Sequence, residues 1–214
     1  MTKLIVGVDE VGVGAVAGPL VVAAVAFSVD TPQPVLHVHR GKRLRLWPVC
    51  DSKKVKHDML PAFRMLIIKH SVACAIAYKT AREVDEMGTD GARDAATALA
   101  IHRTLERARL RCPSRCESYL VILDGAIKSP LLDAQGITYH AIPHADRDVW
   151  QVSAASILAK ESQVLFMAKL DKQYPQYGFA KHHGYPTTIH IAALQKHGVT
   201  KQHRRSYRTI RAML

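Results

Sequence analysis

The chain has 214 residues, 48% of them hydrophobic, enough for one well-buried domain and too apolar for a disordered polyelectrolyte. A formal net charge of +12 disfavours cationic partners and points to a polyanion, nucleic acid before an anionic membrane surface. The charge is lopsided. No acidic residue follows Asp171, whereas Lys172, Lys181, Lys196, Lys201, Arg204, Arg205, Arg208 and Arg211 do, a block that reads either as a polyanion-binding face or as solvated surface.

Lys3–Asp9 is rich in β-branched residues and reads as a buried strand. The uncharged stretch 11–27 is at the short limit for a bilayer-crossing helix and is crowded by Gly12, Gly14, Gly18 and Pro19, so it reads as a turn leading into a second strand near Pro19–Ser28. Residues 30–50 hold three prolines and scattered basic side chains and read as a loop. Apolar spacing predicts a helix over Asp58–His70, a third strand over Val72–Tyr78, a short helix over Ala81–Met87 and a long amphipathic helix over Asp90–Arg109. Tyr119–Leu123 reads as a fourth strand, Gly136–Ile142 as a fifth, and Val149–Leu170 and Thr187–His197 as helices ahead of a basic tail with a short last helix. This order implies a single α/β domain spanning 1–214, its first three strands an antiparallel meander and its later strands joined through helices, with residues 172–214 as a basic helical C-terminal part.

Of the four cysteines, Cys112 and Cys116 alone lie close in sequence, and without a second pair they make a poor zinc site; Cys74 reads as buried packing. No secretory signal is legible, so the expected compartment is a reducing cytoplasm.

The carboxylates fall at strand ends. Asp9 and Glu10 close the first strand, Asp124 closes the fourth, and Asp146 and Asp148 follow the fifth. Sites in open α/β sheets form outside strand ends, so these acids can converge. Converged carboxylates repel one another and persist when a multivalent cation neutralises them; an oxygen-only donor set points to Mg²⁺ or Mn²⁺. In a basic protein that arrangement suits two-metal hydrolysis of a phosphodiester. The bland alternative is that the acids are separate helix caps and surface residues, Asp146 and Asp148 above all. Consecutive strand residues face opposite sides, so Asp9 and Glu10 share a site only if the glycine turn bends the chain there.

Six stretches in order resemble the ribonuclease HII family: GVDEVGVGAVAGPLVVAAV at 7–25, DSKK at 51–54, LDG at 123–125, SAASILAK at 153–160, YPQYGFAKHHGYPT at 174–187 and HRRSY at 203–207. The resemblance implies an RNase H-like mixed five-stranded sheet flanked by helices, with a helical C-terminal extension. It implies an endonuclease, acting as a monomer, that cleaves the RNA strand of RNA–DNA hybrids. It also implies nicking of duplex DNA 5′ to embedded ribonucleotides, leaving 3′-hydroxyl and 5′-phosphate ends as the start of ribonucleotide removal.

The family's acidic ligands for two Mg²⁺ or Mn²⁺ ions carry over to Asp9, Glu10, Asp124 and Asp146. Its ribose-sensing turn and tyrosine carry over to Gly12, Val13, Gly14 and Tyr185. A backbone turn that approaches a 2′-hydroxyl closely needs glycine. Lys53 and Lys160 are expected at the substrate backbone, with a surface or structural role left open for each. His182, His183 and His203 read either as phosphate or proton-handling groups or as packing, and Arg204, Arg205 and Ser206 as holding the tail or the DNA strand. Three positions depart from the family: Val13 for a basic residue in the turn, Ala126 for asparagine after Asp-Gly, and Trp150 before SAAS. These departures leave two rivals standing, a nuclease of the same fold with relaxed sugar specificity and a hybrid-binding protein that does not cleave.

Overall fold

The computed structural model describes residues 3–40, 43–113 and 118–214; Cys116 lies outside them. Five strands make the main sheet: β1 (Leu4–Val11), β2 (Leu20–Ser28), β5 (Ala73–Lys79), β6 (Tyr119–Asp124) and β7 (Tyr139–Ile142), in the spatial order β5-β2-β1-β6-β7. β1, β2 and β5 form the expected antiparallel meander, while β6 and β7 run parallel to β1. Every residue of β2 is buried, as a central strand covered on both faces requires.

The two faces are divided by the alternation of the pleat. Val22, Ala24 and Ala26 meet Ala96, Ala100, Ile101 and Leu105 of α2 (Ala81–Arg111). Ala23, Val25 and Phe27 meet Phe63 and Ile67 of α1 (Leu60–His70) and Ala154, Ala155 and Leu158 of α5 (Trp150–Gln173). α2 starts on a capping box between Thr80 and Glu83 and is broken at Gly88, whose φ of 71° leaves the helical region, so the two expected helices abut. Trp150 packs edge-on against Phe27, with ring centroids 4.5 Å apart, and belongs to this apolar layer.

Residues 30–50 are not simply a loop. They contain a hairpin of β3 (Val35–Arg40) and β4 (Arg43–Pro48), paired Leu36 to Trp47 and Val38 to Arg45. Leu36 and Trp47 share one face and pack on the α1/α5 layer, and that alternation outweighs prolines placed at the strand ends. Three short helices were also not anticipated, α3 (Pro130–Ala134), α4 (Ala145–Asp148) and α6 (Phe179–His182), each too brief to show a period. The C-terminal part, α6 (Phe179–His182), α7 (Thr188–His197) and α8 (Arg208–Arg211), packs Tyr177, Phe179, Leu194 and Ile210 around Val16 and Ala17 of the β1–β2 connection. Among the described residues no helix is long and apolar enough to cross a membrane.

Helix α5 lies against β1 because Gly7 has no side chain: a Cβ there would sit 2.2 Å from the main chain of Gln151. Backbone on both sides leaves nothing flexible to yield. Gly7→Ala is expected to destabilise the protein by about 2–3 kcal/mol and to lower its melting temperature by roughly 4–12 °C in a thermal scan.

Candidate active site

Strands β1, β6 and β7 are parallel and end at one edge of the sheet, and the acids stand at that edge. The pairing of Val8 with Leu123 sets Asp9 beside Asp124. Asp146 arrives from α4, which follows β7, and Ser153 Oγ on α5 donates to its carbonyl at 2.8 Å, pinning α4. Asp9, Asp124 and Asp146 each offer a carboxylate oxygen within 4.8 Å of the others. Asp146 is 2% exposed, whereas Asp148 is an exposed residue.

Glu10 lines the same cleft, of about 380 Å³, but is not one of the three whose oxygens converge. β1 stays a regular strand through Val11, so Asp9 and Glu10 face opposite sides. Asp9 meets Ser156 on α5, and Glu10 approaches Arg93 on α2 at 3.9 Å. The two acids share the cleft because it opens across the sheet edge, not because the glycine turn bends the strand.

Burial is costly here. Desolvation, with Glu10 and Asp124 adding repulsion, pushes the Asp9 carboxyl well above the usual range. Desolvation also raises Glu10, to about 7, against the pull of Arg93. The Lys53 ammonium forms an ion pair with Asp146 Oδ2 at 3.2 Å. Asp146 Oδ1 is buried with no hydrogen-bond partner. Three converged carboxylates, an orphaned buried oxygen among them and no sulfur or imidazole donor together fit a hard divalent cation.

The Gly12–Gly14 turn forms another wall of the cleft. Gly12 has a φ of 85°, and a Cβ there would lie 2.9 Å from the Pro19 carbonyl oxygen. A Cβ on Gly14 would lie 3.9 Å from the Tyr185 ring, so tyrosine and turn stand together. The Val13 side chain packs on the α2-side core, and its carbonyl accepts from Arg204 Nη1 at 3.0 Å and from the Tyr207 hydroxyl. Arg204 is fully buried and also donates from Nε to the Gly18 carbonyl at 3.2 Å. It therefore holds the turn from beneath. Arg205 and Ser206 donate their amides to Asp85, each at 2.8 Å, and so hold the tail. In the sequence Arg204 was one more cation in an acid-free tail, and no pattern marked it as buried. Ser52, Ser156 and His57 were not assigned to the site from sequence, although both serines lie in the quoted DSKK and SAASILAK stretches; all three line the cleft. Lys160 reaches the cleft while donating to the Ser52 carbonyl at 2.7 Å, and Ala126 is exposed.

Tyr185 is held by buried histidines. His190 Nδ1 lies 2.9 Å from the Tyr185 carbonyl and therefore carries its proton. That leaves His190 Nε2 to accept from His203 Nε2 at 3.2 Å, and His203 Nδ1 to accept from the Thr200 amide at 3.0 Å. His182 stacks on His190 at 4.2 Å and has partners at both nitrogens. Desolvation, the largest cause for both, lowers His190 and His203 from 6.5 to about 4. A depressed histidine stabilises the fold fully above its unfolded value and loses that contribution as pH falls through the folded one. Protonation of the unfolded chain's histidines therefore costs stability as pH drops from 6.5 toward 4, on the order of 2 kcal/mol per group, while the raised Asp9 and Glu10 act in the opposite sense over the same range; the check is a comparison, with the melting temperature of His203→Gln expected to rise relative to that of the parent as pH falls.

A family model described as ribonuclease HII matches residues 6–210. Ribonuclease HII of Vibrio cholerae is 36% identical over 211 residues, covering 99% of this chain and 89% of its own. Among solved structures, ribonuclease H2 from Pyrococcus horikoshii superposes with a TM-score of 0.70 at 23% identity, covering 98% of this chain and 96% of its own. A chain of the PCNA:RNase HII complex from Archaeoglobus fulgidus gives 0.71 at 21%, covering 96% and 95%; at such identities the two structures speak to the fold.

Proposed function

The chain belongs to the ribonuclease HII family, and from that premise we propose that it cuts the RNA strand of RNA–DNA hybrids and nicks duplex DNA 5′ to embedded ribonucleotides. The products are 3′-hydroxyl and 5′-phosphate ends. Family membership makes the chain a type HII ribonuclease H, a phosphodiester hydrolase. The single observation that carries the site reading is the convergence of Asp9, Asp124 and Asp146.

Asp9, Glu10, Asp124 and Asp146 would hold two Mg²⁺ or Mn²⁺ ions, which when bound supply a nucleophile at neutral pH and charge neutralisation at the phosphorus. The chain's own residues do the rest. Ser156 and the Glu10 amide hydrogen-bond Asp9 and fix its orientation. Lys53 offsets the negative charge at Asp146 and stands ready for a substrate phosphate. Lys160 anchors the Ser52 backbone from α5 and keeps a second cation on the cleft wall. The Gly12-Val13-Gly14 turn brings main chain to the sugar, and Tyr185 closes over it, which admits a 2′-hydroxyl and recognises it. The domain acts as a monomer in the cytoplasm on ribonucleotides misplaced in DNA.

Relaxed sugar discrimination is the second reading, favoured by Val13: its side chain packs inward, so no cation from the turn reaches a phosphate. A cleavage assay separates the readings, using a DNA duplex with one ribonucleotide, an all-DNA duplex and a long hybrid, each with Mg²⁺ or Mn²⁺. The expected result is a single metal-dependent nick 5′ to the ribonucleotide, slowed at least about a hundredfold in Asp124→Asn. Cutting of the hybrid alone would mean that the altered turn has lost junction recognition, and cutting of the all-DNA duplex as well would favour relaxed sugar discrimination. Binding without cutting in every arm would favour a non-catalytic protein.

A further inference from the structure

Of the five histidines of the C-terminal part, His197 is exposed and outside the cleft lining, and the other four divide into two kinds. His182, His190 and His203 are buried, with every ring nitrogen partnered. His183 differs. Its Nδ1 is buried with no partner, and its ring lines the same cleft as the acids. Its ring centroid lies 5.3 Å from that of His57, an exposed residue that reaches the cleft from the short turn after Lys53 and Lys54. The backbone at His183 is left-handed, φ 50°, a region uncommon for non-glycine residues in which histidine is among the enriched types. It is held there by its neighbour: the Gly184 carbonyl accepts from the amides of Val16 and Ala17. An imidazole with an unpartnered ring nitrogen, beside a second imidazole on the wall of the cleft, is placed for a ligand rather than for packing alone.

We propose that His57 and His183, with Lys160 beside them, form a binding site for a backbone phosphodiester of the nucleic-acid substrate flanking the scissile one. This rests on the hybrid-cleaving reading and names a contact within it. The charged groups acting on His183 are basic: His57 from the turn, His182 from α6 and Lys160 from α5. With desolvation as the first cause, they hold the ring below its usual range and neutral in the free protein. A phosphodiester laid against the two rings on the cleft side reverses the balance, since an anion favours imidazolium. Binding then takes up a proton, and affinity rises as pH falls.

The test measures hybrid affinity by fluorescence anisotropy in the Asp124→Asn background, which keeps the strand uncut and the remaining acids common to every arm. The parent is expected to bind roughly tenfold tighter at about pH 6 than at about pH 8. His183→Asn, whose side chain tolerates the left-handed backbone, and His57→Gln should each show a clearly smaller dependence than the parent, the part that comes from Glu10 being common to every arm. His183→Lys, with a fixed charge, should bind tightly at both pH values, and melting scans confirm that each variant is folded. An unchanged pH dependence in His183→Asn, or a His183→Lys variant no tighter than His183→Asn, would overturn the assignment. A wild-type chain that neither binds nor cuts the hybrid would sink the hybrid reading itself, a result separable from loss of the pH dependence alone.

Discussion

Mutual repulsion among buried carboxylates is the constraint around which this molecule is arranged. Asp9, Asp124 and Asp146 converge at one cleft, and for Asp9 the charged form is opposed by burial, with Glu10 and Asp124 adding repulsion. A cation bound among the three would relieve that penalty. Much of the surrounding structure keeps the acids from moving apart. Strand pairing fixes Asp9 beside Asp124, Ser153 pins the helix that carries Asp146, and Lys53 offsets part of the charge.

The basic C-terminal part serves this edge of the sheet from the other side. Its aromatic and aliphatic residues close on Val16 and Ala17, and Arg204 passes beneath the Gly12–Gly14 turn to the carbonyls of Val13 and Gly18. The turn and Tyr185 are therefore one rigid unit, with the buried histidine chain behind it. An acid-free charge block, read in sequence as a polyanion-binding face or solvated surface, thus contributes one of its arginines to the interior. The replacement of a basic residue by Val13 also acquires a physical meaning, since valine adds apolar packing that secures the turn while main-chain groups still face the cleft.

The main sheet was legible because its strands are continuous apolar runs ending in charge, a pattern that burial on both faces imposes. Asp9 and Asp124 were legible for the complementary reason, as charges placed where apolar runs stop, whereas spacing left Asp146 and Asp148 open and the family resemblance chose Asp146. The β3–β4 hairpin was hidden by prolines and basic residues, because only half of one face is buried and its alternation is short. The burial of Arg204 and the place of Ser156 and His57 in the cleft were hidden because they depend on contacts between distant parts of the chain. Lys160 meets Ser52 across more than a hundred residues, and no local period encodes that. Glu10 stood next to Asp9 in sequence, yet the pleat sends it toward Arg93, a separation that the spacing rule anticipated and the motif obscured.

The most direct test is the melting temperature of the wild type and of Asp124→Asn, each with a chelator and with Mn²⁺. Relief of repulsion should make the variant more stable than the wild type without metal, and Mn²⁺ should stabilise the wild type while leaving the variant little changed. A wild type that is the more stable without metal and indifferent to Mn²⁺ would contradict the account, because the three carboxylates would then be held by the fold alone.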